Sequence, residues 1–141
     1  MNPKIHRTTV RVIYGDTDAG RVVYNANYLR YFEIGRTELM RKWICSYSEI
    51  ERQGFILPVV ECHIRYKAPA YYDDLLVIET SIAELSKIKC RFNCRILREE
   101  EGREKLLAKG YTIHVAVDKN GKLVRLPDGV MNKLGHLVLS R

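Results

Sequence analysis

The sequence predicts an α+β fold in which one antiparallel sheet wraps a single long helix. Three observations carry that expectation. One segment, from about Asn27 to Trp43, has a helical period. From about Val59 to Arg125 strand signals dominate, with apolar and polar residues alternating. A helix of more than three turns must also bury its apolar stripe, and one face of that sheet is the large apolar surface on offer.

The elements follow in order. Thr8 to Ile13 is short and β-rich, with Val10 and Val12 on one face, and reads as the first strand. It empties into an acidic turn, Gly15-Asp16-Thr17-Asp18-Ala19-Gly20, made of residue types that hydrogen-bond locally between elements. The helix after it sets Leu29, Phe32, Leu39 and Trp43 against Arg30, Glu33, Thr37 and Arg41. Gly35 costs that helix about 1 kcal/mol relative to alanine, which predicts close contact with the sheet there. Ser46 to Pro58 reads as a loop.

Next, Val60, Cys62, Ile64 and Tyr66 alternate with Glu61, His63, Arg65 and Lys67, a half-buried strand. Pro69 breaks the run, since proline cannot donate to a central ladder. Leu75 to Leu85 is a further strand. Ile88, Cys90, Phe92, Cys94 and Ile96 then give the clearest alternation in the chain. Glu99 to Gly102 makes a polar turn, and Leu106 to Val117 returns. Asn120-Gly121 signals a hairpin, and Leu126-Pro127-Asp128 starts a short closing helix over Val130, Met131 and Leu134.

Composition narrows the class. The 141 residues fit one domain spanning 1–141, and 46% hydrophobic with 29% charged content is ordinary for a globular protein. Apolar runs are too short to cross a bilayer, and the first residues lack a signal-peptide pattern, so the expected compartment is the cytoplasm. The formal charge of +7 points to an anionic partner. Basic residues are scattered without a block or an interleaved aromatic pattern, which argues against nucleic acid. Cys90 and Cys94 lie about 13 Å apart along one strand, too far for a disulfide or shared zinc. Cys45 and Cys62 stand alone, and the four histidines are dispersed, so reduced thiols and no metal site are expected.

The stretch from Ile13 to Tyr28 concentrates the chemistry. A helix start presents backbone N–H groups without intrahelical partners and a partial positive charge, suited to an oxygen that turns anionic. A nearby carboxylate, Asp16 or Asp18, can attack a carbonyl carbon directly or through a water. Together these make an acyl-transfer or hydrolysis site without serine, cysteine, histidine or metal. A phosphoryl-transfer reading of Asp16-Thr17-Asp18 requires an alternating βα chain, which this is not.

Tyr14-Gly15-Asp16-Thr17-Asp18-Ala19-Gly20, Val22-Val23-Tyr24, Ala26-Asn27-Tyr28-Leu29, Phe32-Glu33 and Arg36-Thr37-Glu38 resemble the hot-dog-fold acyl-CoA thioesterases. The likeness is to the branch of 4-hydroxybenzoyl-CoA thioesterase and the Tol-Pal-associated thioesterase. It continues through Pro58-Val59-Val60, Tyr66-Lys67-Ala68-Pro69-Ala70 and Asp73-Asp74. The resemblance implies a five- or six-stranded antiparallel sheet around one helix, and hydrolysis of acyl-CoA to a carboxylic acid and free coenzyme A. It makes Asp18 the catalytic carboxylate, as nucleophile or general base, and the Asn25 backbone N–H the oxyanion donor. Relatives often carry histidine at that position; a backbone donor is independent of the side chain.

Asp16 is expected to orient the turn. Tyr14 and Tyr24 are candidates to line the acyl pocket, with a core role as the plainer alternative. Glu33 is a candidate to reach the site from the helix, with a solvated or salt-bridged glutamate as the plainer alternative, and Arg65, Lys67, Arg91 and Arg95 are candidates for the coenzyme A phosphates, with a charged outer sheet face as theirs. The resemblance also implies a homo-oligomer, a dimer or a tetramer built from dimers, joined edge to edge with shared sites. No cofactor is expected, because coenzyme A belongs to the substrate. The alternative function is a non-catalytic module that binds acyl-CoA or an acyl carrier protein.

Overall fold

The computed structural model describes residues 4–139. Five strands form one antiparallel sheet in the order β1-β3-β4-β5-β2, where β1 is His6–Arg11, β2 Val59–Tyr66, β3 Leu75–Leu85, β4 Lys89–Glu100 and β5 Arg103–Val115. The long helix α1 spans Asn27–Trp43, as the periodicity predicts, and packs chiefly on β3, with β1 and β4 beside it. A short helix α2, Tyr47–Arg52, follows, and α3, Asp128–Leu137, closes the chain over the core.

Local chemistry explains the punctuation. Glu101 and Gly102 both take positive φ, 51° and 79°, the backbone that joins β4 to β5 without splaying them. Gly121, at φ 81°, turns the next hairpin, while Asp118 Oδ1 accepts the N–H groups of Asn120 and Lys122 at 2.8 and 3.0 Å.

The inner faces of β3 and β4 supply the core. Leu76, Ile78, Ile82, Phe92, Cys94 and Ile96 are buried, in two clusters that meet opposite opposite halves of α1. Gly35 sits where the helix presses hardest on the sheet. A Cβ there would lie 2.4 Å from Thr80 Oγ1 and 2.6 Å from Ile78 Cγ2.

Four expectations need correction. The first strand lies two residues earlier than the alternation suggests, although Val12 beyond its end is still buried and bonded to the Asp73-Asp74 backbone. The buried stripe of α1 is Tyr28, Tyr31, Phe32, Gly35, Leu39 and Met40, while Leu29 and Trp43 face out. Tyrosine counts as ambivalent in a periodicity, yet its ring fills a core well when its hydroxyl finds a partner. The segment read as a loop contains α2, started by Ser46 Oγ accepting the Glu49 N–H at 3.2 Å. Finally, β2 alternates as expected but is exposed along nearly its whole length, because it forms one edge of the sheet.

Candidate active site

Between β1 and α1 the chain folds into a small hairpin. Thr17 and Val23 face each other in an antiparallel bridge, the Asp18 N–H donates to Val22 O at 2.9 Å, and the Tyr24 N–H donates to Asp16 O at 2.9 Å. The tip is a turn closed by the Arg21 N–H on Asp18 O at 2.9 Å. Arg21 takes φ 66°, a left-handed conformation that favours glycine.

The two acids of this hairpin have different surroundings. Asp16 is buried; its Oδ2 accepts the Tyr31 hydroxyl at 2.9 Å and the Ile13 N–H at 3.2 Å. Burial, followed by the bond to Asp16, pushes the Tyr31 phenol well above its ordinary pKa, so it remains a donor. Asp18 is exposed, and its Oδ1 accepts the Gly20 N–H at 2.8 Å, leaving the second oxygen open to solvent.

Asn25 precedes α1 on the base of the hairpin. Its carbonyl accepts the Tyr66 hydroxyl at 2.7 Å, which ties the helix start to the end of β2. Its own N–H donates to no acceptor among the described residues. A free N–H at the head of a seventeen-residue helix is able to donate to an anionic oxygen.

Tyr14 and Tyr24 are 80% and 52% exposed, so the core alternative for them is overturned. Tyr14 meets the edge of the Tyr72 ring at 6.0 Å. Neither lines a cavity of about 520 Å³ that lies between α1, α2 and the neighbouring sheet residues. Glu33 does line it, with Arg36, Thr37 and Met40 from α1, Tyr47 and Ile50 from α2, and Leu57, Phe92 and His114. His114 is buried, and burial pulls its pKa down to about 4. Both ring nitrogens are engaged, Nδ1 with Leu57 O and Nε2 with Thr112 Oγ1, each at 2.9 Å.

Arg65, Arg91 and Arg95 gather on the outer face of the sheet, joined by Lys109 around a depression of about 410 Å³. There the Arg91 guanidinium lies 3.9 Å above the Tyr111 ring, whose plane stacks on His63. Lys67 stands apart, past the end of β2. Among the described residues no group of acids, histidines and cysteines is placed to hold a metal ion, and all four cysteines are free thiols.

Sequence reading misses the cavity residues Arg36, Thr37 and His114. The signal was present in part: Glu33, Arg36, Thr37 and Met40 share a helix face, and His114 continues the inward parity of Thr112 on β5.

Residues 12–134 match the family model described as the thioesterase-like superfamily. The chain is 37% identical to the acyl-CoA thioesterase YbgC of Haemophilus influenzae over 131 residues, covering 91% of this chain and 93% of that protein. A crystal structure of a Thermus thermophilus protein superposes with a TM-score of 0.88 at 30% identity, covering 96% of this chain and 99% of that one. The structure of a 1,4-dihydroxy-2-naphthoyl-CoA thioesterase from Synechocystis gives 0.83 at 25% identity, covering 93% and 96%. The chain belongs to the thioesterase-like superfamily and has its hot-dog fold.

Proposed function

We propose that this enzyme hydrolyses acyl-CoA, adding water across the thioester to give a carboxylic acid and the free thiol of coenzyme A. One observation carries the mechanism: the unsatisfied Asn25 N–H at the head of α1 follows directly on the hairpin that presents the Asp18 carboxylate. The N–H polarises the thioester carbonyl and holds the oxyanion as it forms. Asp18 either attacks the carbonyl carbon, expelling the thiolate and leaving an anhydride for water to cleave, or takes a proton from the attacking water. The name of the Haemophilus relative supports the substrate class.

A second copy of the chain completes the molecule in this reading. The exposed β2 carries Val59, Val60 and Tyr66 on its surface and a free edge that another β2 can continue. Arg65 and Arg91, with Arg95 and Lys109, offer cations to the coenzyme A phosphates. Four reduced thiols suit a cytoplasmic enzyme.

The test is release of free thiol from a panel of acyl-CoAs. Asp18→Asn lowers kcat by about 100-fold or more with the fold intact. An Asp18→Asn protein that is folded and cleaves at the parental rate overturns the mechanism. Single turnover in ¹⁸O-water tests for an attacking Asp18, because opening of the anhydride by water at the Asp18 carbonyl carbon leaves the label in the protein, whereas direct attack of water on the thioester leaves it only in the product acid.

A further inference from the structure

The cavity beside α1 contains one group that its walls do not explain. Met40, Ile50, Leu57 and Phe92 are apolar and buried, yet Arg36 lies among them with its side chain 16% exposed. Its guanidinium makes no hydrogen bond among the described residues. The nearest carboxylate is Glu33 Oε1 at 3.7 Å, beyond hydrogen-bond reach, on a side chain that is 70% exposed and therefore a weak counter-ion.

The other titratable groups close to Arg36 do not neutralise it. His114 is uncharged at neutral pH and has both ring nitrogens occupied. Burial pushes the Cys94 thiol up to about 12, so it carries no charge, and Tyr47 is a phenol. A guanidinium has five N–H donors in a planar fork and cannot shed its proton; here its nitrogens keep a little solvent contact but find no hydrogen-bond acceptor on the cavity wall. The missing partner is a planar anion that arrives with apolar atoms attached, which describes a carboxylate at the end of a methylene chain.

We propose that Arg36 selects acyl groups bearing a second, distal carboxylate, so that the preferred substrates are ω-carboxyacyl-CoA thioesters. This rests on the acyl-CoA hydrolase reading above. The walls bind the methylenes and the guanidinium takes the far carboxylate bidentately; Arg36 lies nine residues past Asn27 in α1, about 14 Å along the axis from the helix head, so chain length decides which substrates reach it. Glu33 competes for the same cation, so it weakens the preference without abolishing it.

The experiment compares kcat/KM for matched pairs, each an ω-carboxyacyl-CoA and the monocarboxylic acyl-CoA of equal chain length, over a series of lengths. The expected result is a preference of roughly 10- to 100-fold for the dicarboxylic member at one length. Arg36→Met removes the preference while still cleaving the monocarboxylic partner, and Arg36→Lys retains part of it. Glu33→Gln, which keeps the guanidinium in place, increases it and decides the matter if Arg36→Met does not fold. Cleavage of the monocarboxylic series with no preference at any length overturns this proposal and leaves the hydrolase reading standing. Equal loss of both activities in Arg36→Met, with Glu33→Gln unchanged from the parent, assigns Arg36 to structure and also overturns it. Cleavage of neither series overturns both readings.

Discussion

Tyr31, a full turn into α1, donates its hydroxyl to the buried carboxylate of Asp16 across 2.9 Å. That bond fastens the hairpin to the helix, and so fixes the relation between the Asp18 carboxylate and the helix head. Tyr31→Phe leaves Asp16 short of a charged-group hydrogen bond in a buried place, a loss of about 2 kcal/mol. Urea unfolding measures it as a lower midpoint with an unchanged slope.

Gly35→Ala tests two opposed effects of known size. Helix propensity favours alanine by about 1 kcal/mol. The added methyl meets Thr80 and Ile78, both fully buried, at distances no real contact tolerates, and overpacking of this kind costs about 1–3 kcal/mol. The clash prevails, and the variant unfolds at lower urea. Adding Thr80→Ala removes the nearer obstruction and recovers part of the loss, as coupled neighbours do.

At Asn25 the backbone and the side chain predict different outcomes. Asn25→Ala retains the N–H and holds kcat within a few-fold of the parent. Asn25→Pro deletes the N–H and lowers kcat by about 100- to 1,000-fold, the cost of one oxyanion donor. Circular dichroism confirms that α1 survives, and equal activities of the two variants would refute the assignment.

His114 gives stability a defined acid limb. Its folded pKa is about 4, against an ordinary 6.5, because burial disfavours the charged ring. Between those values the unfolded chain binds a proton that the native protein does not. The contribution is therefore complete above pH 6.5 and falls away as pH drops to about 4, by about 3 kcal/mol in total. His114→Gln flattens this part of the curve, as seen in unfolding free energies at pH 7 and pH 4.5 compared between the two proteins.

The limits of α1 and β3 are legible in the sequence because each is set locally, by period and by flanking turn residues. Which side of α1 is buried is less so: Tyr28 and Tyr31 displace Leu29 and Trp43 from the core once their hydroxyls meet Ala70 N–H and Asp16. Alternation in β2 tells which residues share a face but not whether anything covers that face, which depends on strand order. Asp18 lies within one recognisable motif and Asn25 follows it closely, so both can be proposed from the sequence. Arg36 cannot, because its significance comes from Leu57, Phe92 and His114, which reach it only through folding.

The bare edge strand β2 has a consequence for how the enzyme responds to its own abundance. An uncapped edge whose Tyr66 holds the Asn25 carbonyl couples the geometry of the helix head to whatever occupies that edge. If a second copy occupies it, turnover per chain rises with protein concentration and then levels off, and dilution reverses the gain. The midpoint of that curve is the dissociation constant of the pair.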